Sequence, residues 1–499
     1  MNGPADWQQA GRPARFGEEW FLPQRRHPPR RVGQWPLYAT IAFIMACFVL
    51  GGASRVDVVQ HALLRPLAII LAVAILAFAP RIDWRAIRWP GGLLLALAVL
   101  IVLQLVPLPY AWWAGLPGRD LARSALSLTD ADGAAHGLSL TPDQTLNSLF
   151  ALSVPAATLL AMAALGPRER RIVLPWLVGG MVASMLFGFL QLVQGRLYLY
   201  EVTNLGSAVG FFANRNHNAA LIAASLPLLA CLATWPVRKP GTRPVLWLMA
   251  AGIMILALLA VLSIGSRWGL AVAAVGLVWA LLVAWRELGQ WLARSSKPVR
   301  AALVAMPLVL VAGLVAIAAF GSRDETLRRL FEVSVTDDLR LQTLPVTMAM
   351  LRELFPAGSG FGSFEAMYRI AEPRSLLGLQ YLNHVHNDYV EVAIEAGIAG
   401  LALLAVAMGW FAIRTITSFA KRAFAEDIDR RIAQAAGGVA LIAALASITD
   451  YPVRTPIWMM VLAVCAVWLG GTTGAAVPKS DGSSSRERAS SRRDSSGRN

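Results

Sequence analysis

From Tyr381 to Gly400 the chain reads YLNHVHNDYVEVAIEAGIAG. His384, His386, Asn387 and Asp388 stand directly before a stretch that turns apolar and stays apolar to Ile413. An imidazole can accept a proton near neutral pH, so these histidines are candidate bases. Three other segments set comparable chemistry beside apolar runs. GFFANRNHNAALIAASL carries Asn214, Arg215, Asn216, His217 and Asn218; SIGSRWGL carries Arg267 in a very tight turn; TDYPVRT carries Asp450 and Arg454. A guanidinium stays charged and donates paired hydrogen bonds, which suits a phosphate. A charge at membrane depth is costly and is usually paired or functional.

Asn387 and Asp388 fit the start of a helix, with Asn387 as N-cap. His386 would then lie beside the positive end of that helix, which disfavours imidazolium and keeps the ring ready to act as a base. Asp388, Glu391 and Glu395 recur at helical spacing and form one polar stripe able to pair with nearby arginines. Each residue also has a plainer role. Arg215 and Arg267 can be interfacial anchors, His386 can hydrogen-bond a loop carbonyl, and Gly397 and Gly400 can permit close helix packing. His384 and His386 show no third ligand at metal-binding spacing, so no metal and no other cofactor is expected.

The elements that position these residues are membrane spans. The 499 residues are 56% hydrophobic and 15% charged, against about 25% charged in soluble domains. The surplus is blocked into twelve apolar runs: 36–53, 63–80, 91–109, 146–166, 172–194, 218–235, 245–265, 268–285, 301–321, 387–413, 432–450 and 456–473. Runs of that length predict an all-α polytopic membrane protein of about twelve spans; the alternation of a β-barrel is missing. Cys47, Cys231 and Cys465 all fall inside apolar blocks, so no disulfide framework is expected.

The net charge of +15 is distributed unevenly. Counted on alternate sides of the spans, 30 of the 45 Lys and Arg fall on one side, and nearly half of the remainder sit in the long 322–385 segment. Positive charge marks the cytoplasmic side, and long loops weigh little in that rule. Both termini are therefore expected in the cytoplasm, and nucleic acid is not an expected partner. The organisation predicted is a disordered basic tail (1–34), spans one to nine (35–321), an extracytoplasmic loop with short helices (322–385), spans ten to twelve (386–473), and a Ser/Arg-rich tail (474–499). A second long outward segment covers 110–145. In 322–385, DETLRRLFE and DLRLQTLPVTMAMLRELF read as amphipathic helices and PAGSGFGSF as a tight irregular turn.

His386-Asn387, nine residues, Gly397, two residues, Gly400 resembles the H-N-x9-G-x-x-G signature of the O-antigen ligase family. GFFANRNHNA, SRWG and the Gly-rich PAGSGFGSF resemble further family segments, and the likeness runs over roughly 140–473. It implies a GT-C-like, metal-independent glycosyltransferase of the bacterial inner membrane, with its site facing the periplasm. The donor implied is a glycan on undecaprenyl diphosphate. The acceptor is a sugar hydroxyl on lipid A–core for a ligase, or on a second lipid-linked glycan for an O-antigen or exopolysaccharide polymerase. Carried over, Arg215 and Arg267 hold the diphosphate, Asn214 and Asn387 line the substrate site, Arg340 is a lesser candidate for a further phosphate contact, and His386 activates the acceptor hydroxyl. Gly397 and Gly400 belong to the motif's framework. A transporter fits less well, because its polar groups would sit near the bilayer midplane rather than at one edge.

Overall fold

A computed structural model describes residues 34–129, 133–236, 242–294, 335–378, 382–420 and 426–471, with a few isolated positions between 296 and 424. The chain divides into Met1–Trp35 and Pro36–Asn499, and the architecture below lies within the second. The two tails, the expected ninth span at 301–321 and the DETLRRLFE helix fall outside the described residues, apart from isolated positions.

The described chain is almost entirely helical. In order come α1 (Trp35–Leu50), α2 (Val59–Phe78), α3 (Trp84–Leu105), α4 (Tyr110–Ala114), α5 (Asp120–Leu126), α6 (Pro142–Ala151), α7 (Ser153–Ala164), α8 (Pro167–Gln194), α9 (Arg215–Ala233), α10 (Thr242–Ile264) and α11 (Arg267–Arg294). Then follow α12 (Val335–Leu354), α13 (Phe364–Ala371), α14 (Asp388–Ser418), α15 (Asp427–Ala446) and α16 (Pro456–Gly470). A two-residue antiparallel ribbon joins β1 (Pro107–Leu108) to β2 (His136–Gly137).

Among the described residues, eight helical segments are long and apolar enough to cross a membrane, with α6 and α7 together forming one of them; α1 and α16 are shorter apolar helices. The expected span at 432–450 is present as α15 but is not among the eight. Its Ala- and Gly-rich face packs on neighbouring helices, so it needs less hydropathy than a helix facing lipid. Gly437 lies on Thr415 and Gly438 on the Trp279 ring. At the other extreme, α2 and α10 expose Leu63, Ile70, Val73, Leu248 and Ile255, the composition of a lipid-facing surface. The most buried span is α9, with 89% of its apolar window enclosed. That enclosure is what allows His217 and Asn218 to sit in a span: each polar atom meets protein rather than hydrocarbon.

Helix direction decides which residues can meet. Gly269 lies against Ala219, and Gly276 against Ala223 and Leu226. The helices α9 and α11 are therefore parallel, and Arg215 and Arg267, at their first positions, share one end of the bundle. The loops after α1 and α8 and the loop before α16 reach the same end: the Gly52 carbonyl accepts from the Ala213 amide at 3.1 Å, and the Gly51 carbonyl from the Ile457 amide at 3.0 Å.

The expected irregular turn at 356–363 is present, and it explains the motif's glycines. Gly397 leaves helical geometry (φ 56°, ψ −145°) inside α14. The chain at 356–360 inserts into the break. Ser359 and Gly360 amides donate to the Ile394 and Glu395 carbonyls at 3.0 and 2.8 Å, and the Ile398 amide donates to the Pro356 carbonyl at 3.0 Å. Backbone groups freed by the kink are thus paired again, as a low-dielectric setting demands. An added Cβ at Gly397 would overlap the Pro356 carbonyl, and one at Gly400 would press on Ala396.

A small apolar core of Met350, Leu354, Phe364, Tyr368 and Ile394 docks α12 and α13 onto α14, with Val385 and Leu382 packed against it. It fixes the approach of the chain to His384 and His386. Beyond the kink, 398–418 rises about 30 Å at 1.5 Å per residue, which matches the hydrocarbon thickness of a bilayer. The first turns of α14, with Asp388, Glu391 and Glu395, therefore stand at the edge of the span.

Candidate active site

Two networks, one on each side of Tyr451, make up the polar end of the bundle. The first centres on Asp450, which is 3% exposed. Asn214 and Asn216 donate their amides to its carboxylate, the latter at 2.8 Å, and the Tyr451 amide donates at 3.0 Å. His217 Nε2 lies 3.1 Å and His386 Nδ1 3.3 Å from Oδ1. Asp450 thereby ties the start of α9 to the motif histidine from the far end of the sequence. A carboxylate on Nδ1 orients an imidazole and leaves Nε2 to face a substrate. His386 adopts a positive φ of 58°, which for a residue other than glycine costs on the order of 1–3 kcal/mol and persists where the surroundings enforce it.

The expected N-cap is found: Asn387 Oδ1 accepts from the Tyr389 and Val390 amides at 3.0 and 3.1 Å. Asn214 likewise caps α9, accepting from the Asn216 amide at 2.8 Å. Both asparagines, named above as substrate residues, thus have structural work of their own. Their side chains are the hinge pins that turn Arg215 and His386 toward the same end.

The second network centres on Arg454. Its guanidinium meets Asp388 at 2.9 Å, Glu391 at 3.1 Å and Glu395 at 3.2 Å. Burial opposes the guanidinium's charge, but Glu391, Glu395 and Asp388 outweigh that effect and hold it above its ordinary pKa. The expected pairing of the acidic stripe with arginine is therefore supplied by one residue. Glu391 also accepts from the Val385 amide at 2.8 Å and meets His384 Nδ1 at 2.7 Å. His384 Nε2 lies 3.1 Å from the Ser54 hydroxyl. Tyr451 stands between the two histidines, its ring centroid 4.2 Å from His384 and 4.9 Å from His386.

The arginines are placed as follows. Arg215 opens α9, its amide donating to Asn204 Oδ1 at 3.0 Å. Arg267 opens α11, after a Gly265–Ser266 turn in which Ser266 Oγ accepts from the Gly269 amide at 3.0 Å. Among the described residues Arg267 has neither a hydrogen-bond nor an ion-pair partner for its guanidinium. Arg340 lies in α12, and its side chain is outside the described residues.

Arg119 carries structure that sequence reasoning overlooked. It is 1% exposed and donates to the carbonyls of Pro117, Leu138 and Gly358 at 2.8, 2.6 and 3.0 Å. It staples the 110–140 segment to the Gly-rich turn that plugs α14. Burial lowers its pKa to about 10. No sequence signal separates it from Arg123, four residues on and exposed. Arg119→Lys keeps the charge but loses the fork, so it should cost about 2 kcal/mol, the scale of hydrogen bonds to a charged group. A drop in the melting temperature of the purified protein checks this, and an unchanged one removes the staple.

Beside the Arg454 network lies a cavity of about 990 Å³. Its polar end is formed by Ser54, Asn147, His384, Glu391 and Arg454, and its apolar length by Leu404, Phe411, Ala440 and Met459 down to Trp279. Arg215, Arg267 and His386 are not among its lining residues. The cavity and the His386 side adjoin at His384 and Tyr451.

Residues 252–405 match the O-antigen ligase family model. The matched segment runs from α10 into α14 and takes in Arg267, Arg340, His386, Asn387, Gly397 and Gly400. Asn214, Arg215 and Asp450 lie outside it, and Asn214 and His386 are joined through their hydrogen bonds to Asp450. No curated protein sequence matches the chain.

Proposed function

We propose that the chain transfers a glycan from a polyprenyl-diphosphate donor to a sugar hydroxyl at the periplasmic face of the bacterial inner membrane, as an O-antigen ligase does. The observation that carries this reading is the convergence of Arg215, Arg267 and His386 at one end of the bundle, through the parallel α9 and α11 and the shared Asp450. The O-antigen ligase match over 252–405 supports glycosyl transfer of ligase or polymerase type.

The chemistry follows from the leaving group. As the glycosidic bond breaks, negative charge builds on the diphosphate oxygen. Fixed guanidiniums stabilise that charge more in the transition state than in the ground state, which is the condition for catalysis. His386, oriented by Asp450 through Nδ1, takes the acceptor hydroxyl proton on Nε2. The new bond forms on the sugar face opposite the departing diphosphate, so the anomeric centre inverts, by the geometry that governs inverting glycosidases. The polyprenyl tail stays in the bilayer while its head reaches the helix ends.

Reconstitution with a lipid-linked glycan and two acceptors, lipid A–core and a second lipid-linked repeat, tests the reading. Sugar on lipid A–core names a ligase, and sugar on the repeat names a polymerase. Labelled lipid crossing the bilayer with no sugar transferred overturns transfer. In the same assay Arg267→Lys should lose about 10²-fold in rate, because a point charge replaces a paired donor at a developing oxyanion. Wild-type activity in that variant would remove Arg267 from the diphosphate.

A further inference from the structure

We propose that the 990 Å³ cavity beside α14 binds a glycolipid acceptor, its hydrocarbon chain along the apolar length and a neutral sugar at the Ser54–His384–Glu391 end. This deepens the transfer reading by naming where the second substrate sits and which groups select it.

The first argument is shape. The lining takes residues of α14 from both sides of the Gly397 break, Asp388–Glu395 and Leu404–Ile416, the second stretch alone rising about 18 Å at the helical rise. Polar residues crowd one end. Leu404, Met408, Phe411, Leu441 and Leu462 line the rest. A wholly polar ligand would leave that length unfilled, and a hydrocarbon would lie unfavourably against the polar groups of the other end. An amphiphile satisfies both.

The second argument is charge. A cavity for a diphosphate should present unopposed cations. Here Arg454 is met by three carboxylates, Arg369 by Glu365 and Arg55 by Asp57. Arg65 is bonded to the Asn147 amide at 2.6 Å. The polar end alternates donors and acceptors without a surplus of positive charge, and Glu391 and Glu395 would repel a phosphate placed among them. Sugar hydroxyls, each a donor and an acceptor, fit that pattern.

The third argument is position. His384 Nε2 already exchanges a hydrogen bond with an alcohol, that of Ser54 at 3.1 Å, while Glu391 holds Nδ1 at 2.7 Å. A sugar hydroxyl can take the serine's place at no change in chemistry. Tyr451 lies against both His384 and His386, so a sugar held by His384 stands one ring away from the base. His384 is thus a positioning residue for the acceptor.

The test uses the full chain in lipid nanodiscs and a dodecyl maltoside bearing a diazirine in its alkyl chain. Photolysis should label peptides containing Leu404–Phe411 and Ala440–Ala444. Ala440→Trp, or Ala407→Trp should the first variant fail to insert, fills the apolar length and should cut labelling at least about tenfold, equal to about 1.4 kcal/mol of binding. Unlabelled dodecyl maltoside should compete about tenfold better than dodecyl phosphate. Better competition by the phosphate overturns the acceptor assignment, since the cavity would then take the donor's end. Labelling that neither tryptophan reduces overturns the site altogether. His384→Gln should raise KM for the acceptor and leave KM for the donor unchanged. Labelling is read without turnover, so a protein that labels as expected but transfers no sugar upholds the glycolipid site and sinks only the transfer reading.

Discussion

His386→Ala lowers glycan transfer by about 10²- to 10⁴-fold, the usual contribution of a positioned general base. The ring is 13% exposed, strained at φ 58° and pinned by Nδ1 to Asp450 at 3.3 Å. Such a fixed imidazole is prepared for one proton and one direction. Asp450→Asn should lose part of that factor, because an amide no longer fixes which nitrogen carries the hydrogen. The measurement is the single-turnover rate of sugar transfer in proteoliposomes, with membrane insertion checked by gel filtration of the extracted protein. An His386→Ala variant that inserts normally and transfers at the wild-type rate removes the base assignment. The plainer role, a histidine that only braces its loop, predicts lost insertion instead.

Gly397→Ala destabilises the protein by on the order of 3 kcal/mol, combining a residue forced into glycine-only geometry with an overpacked contact. The φ of 56° and ψ of −145° suit a residue without a side chain, and a Cβ there would enter the Pro356 carbonyl. Relief by straightening α14 would expel the 356–360 chain and strip the Ser359 and Gly360 amides and the Pro356 carbonyl of their partners. The expected result is a thermal midpoint lowered by several degrees and faster proteolysis within 356–363. Gly400→Ala should cost less, since its added Cβ presses on the Ala396 and Val392 side chains and reaches the Val392 carbonyl only at ordinary contact distance, and the backbone stays helical. Equal stability of the two variants would show that the break carries no load.

Much of this was legible beforehand because membrane spans announce themselves. Among the described residues, long apolar runs recovered the spanning helices, and alternation of loop sides gathered 54–65, 196–215 and Arg454 to one end. The Asn387 cap followed from residue type and position, since a capping side chain acts within three residues. What was hidden is long-range. Asp450 and Arg454 stood out as charges beside spans, but nothing local says that one receives His386 and the other takes three carboxylates. Arg119 and Ser54 were invisible, because their partners are backbone carbonyls and a histidine over two hundred residues away. Hydropathy also overstated the likeness among spans. The window that flagged α15 could not tell a helix facing protein from one facing lipid. Gly397 and Gly400 look alike in the motif, yet one is a hinge in the backbone and the other a shallow dent in the helix surface.

The insertion of 356–360 into α14 means that the extramembranous arm is riveted to the span, not merely laid on it. The arm has one fixed post, with slack available only on either side of it. A change in the arm's length around 372–378 would therefore leave the pairing of 356–360 with α14 in register.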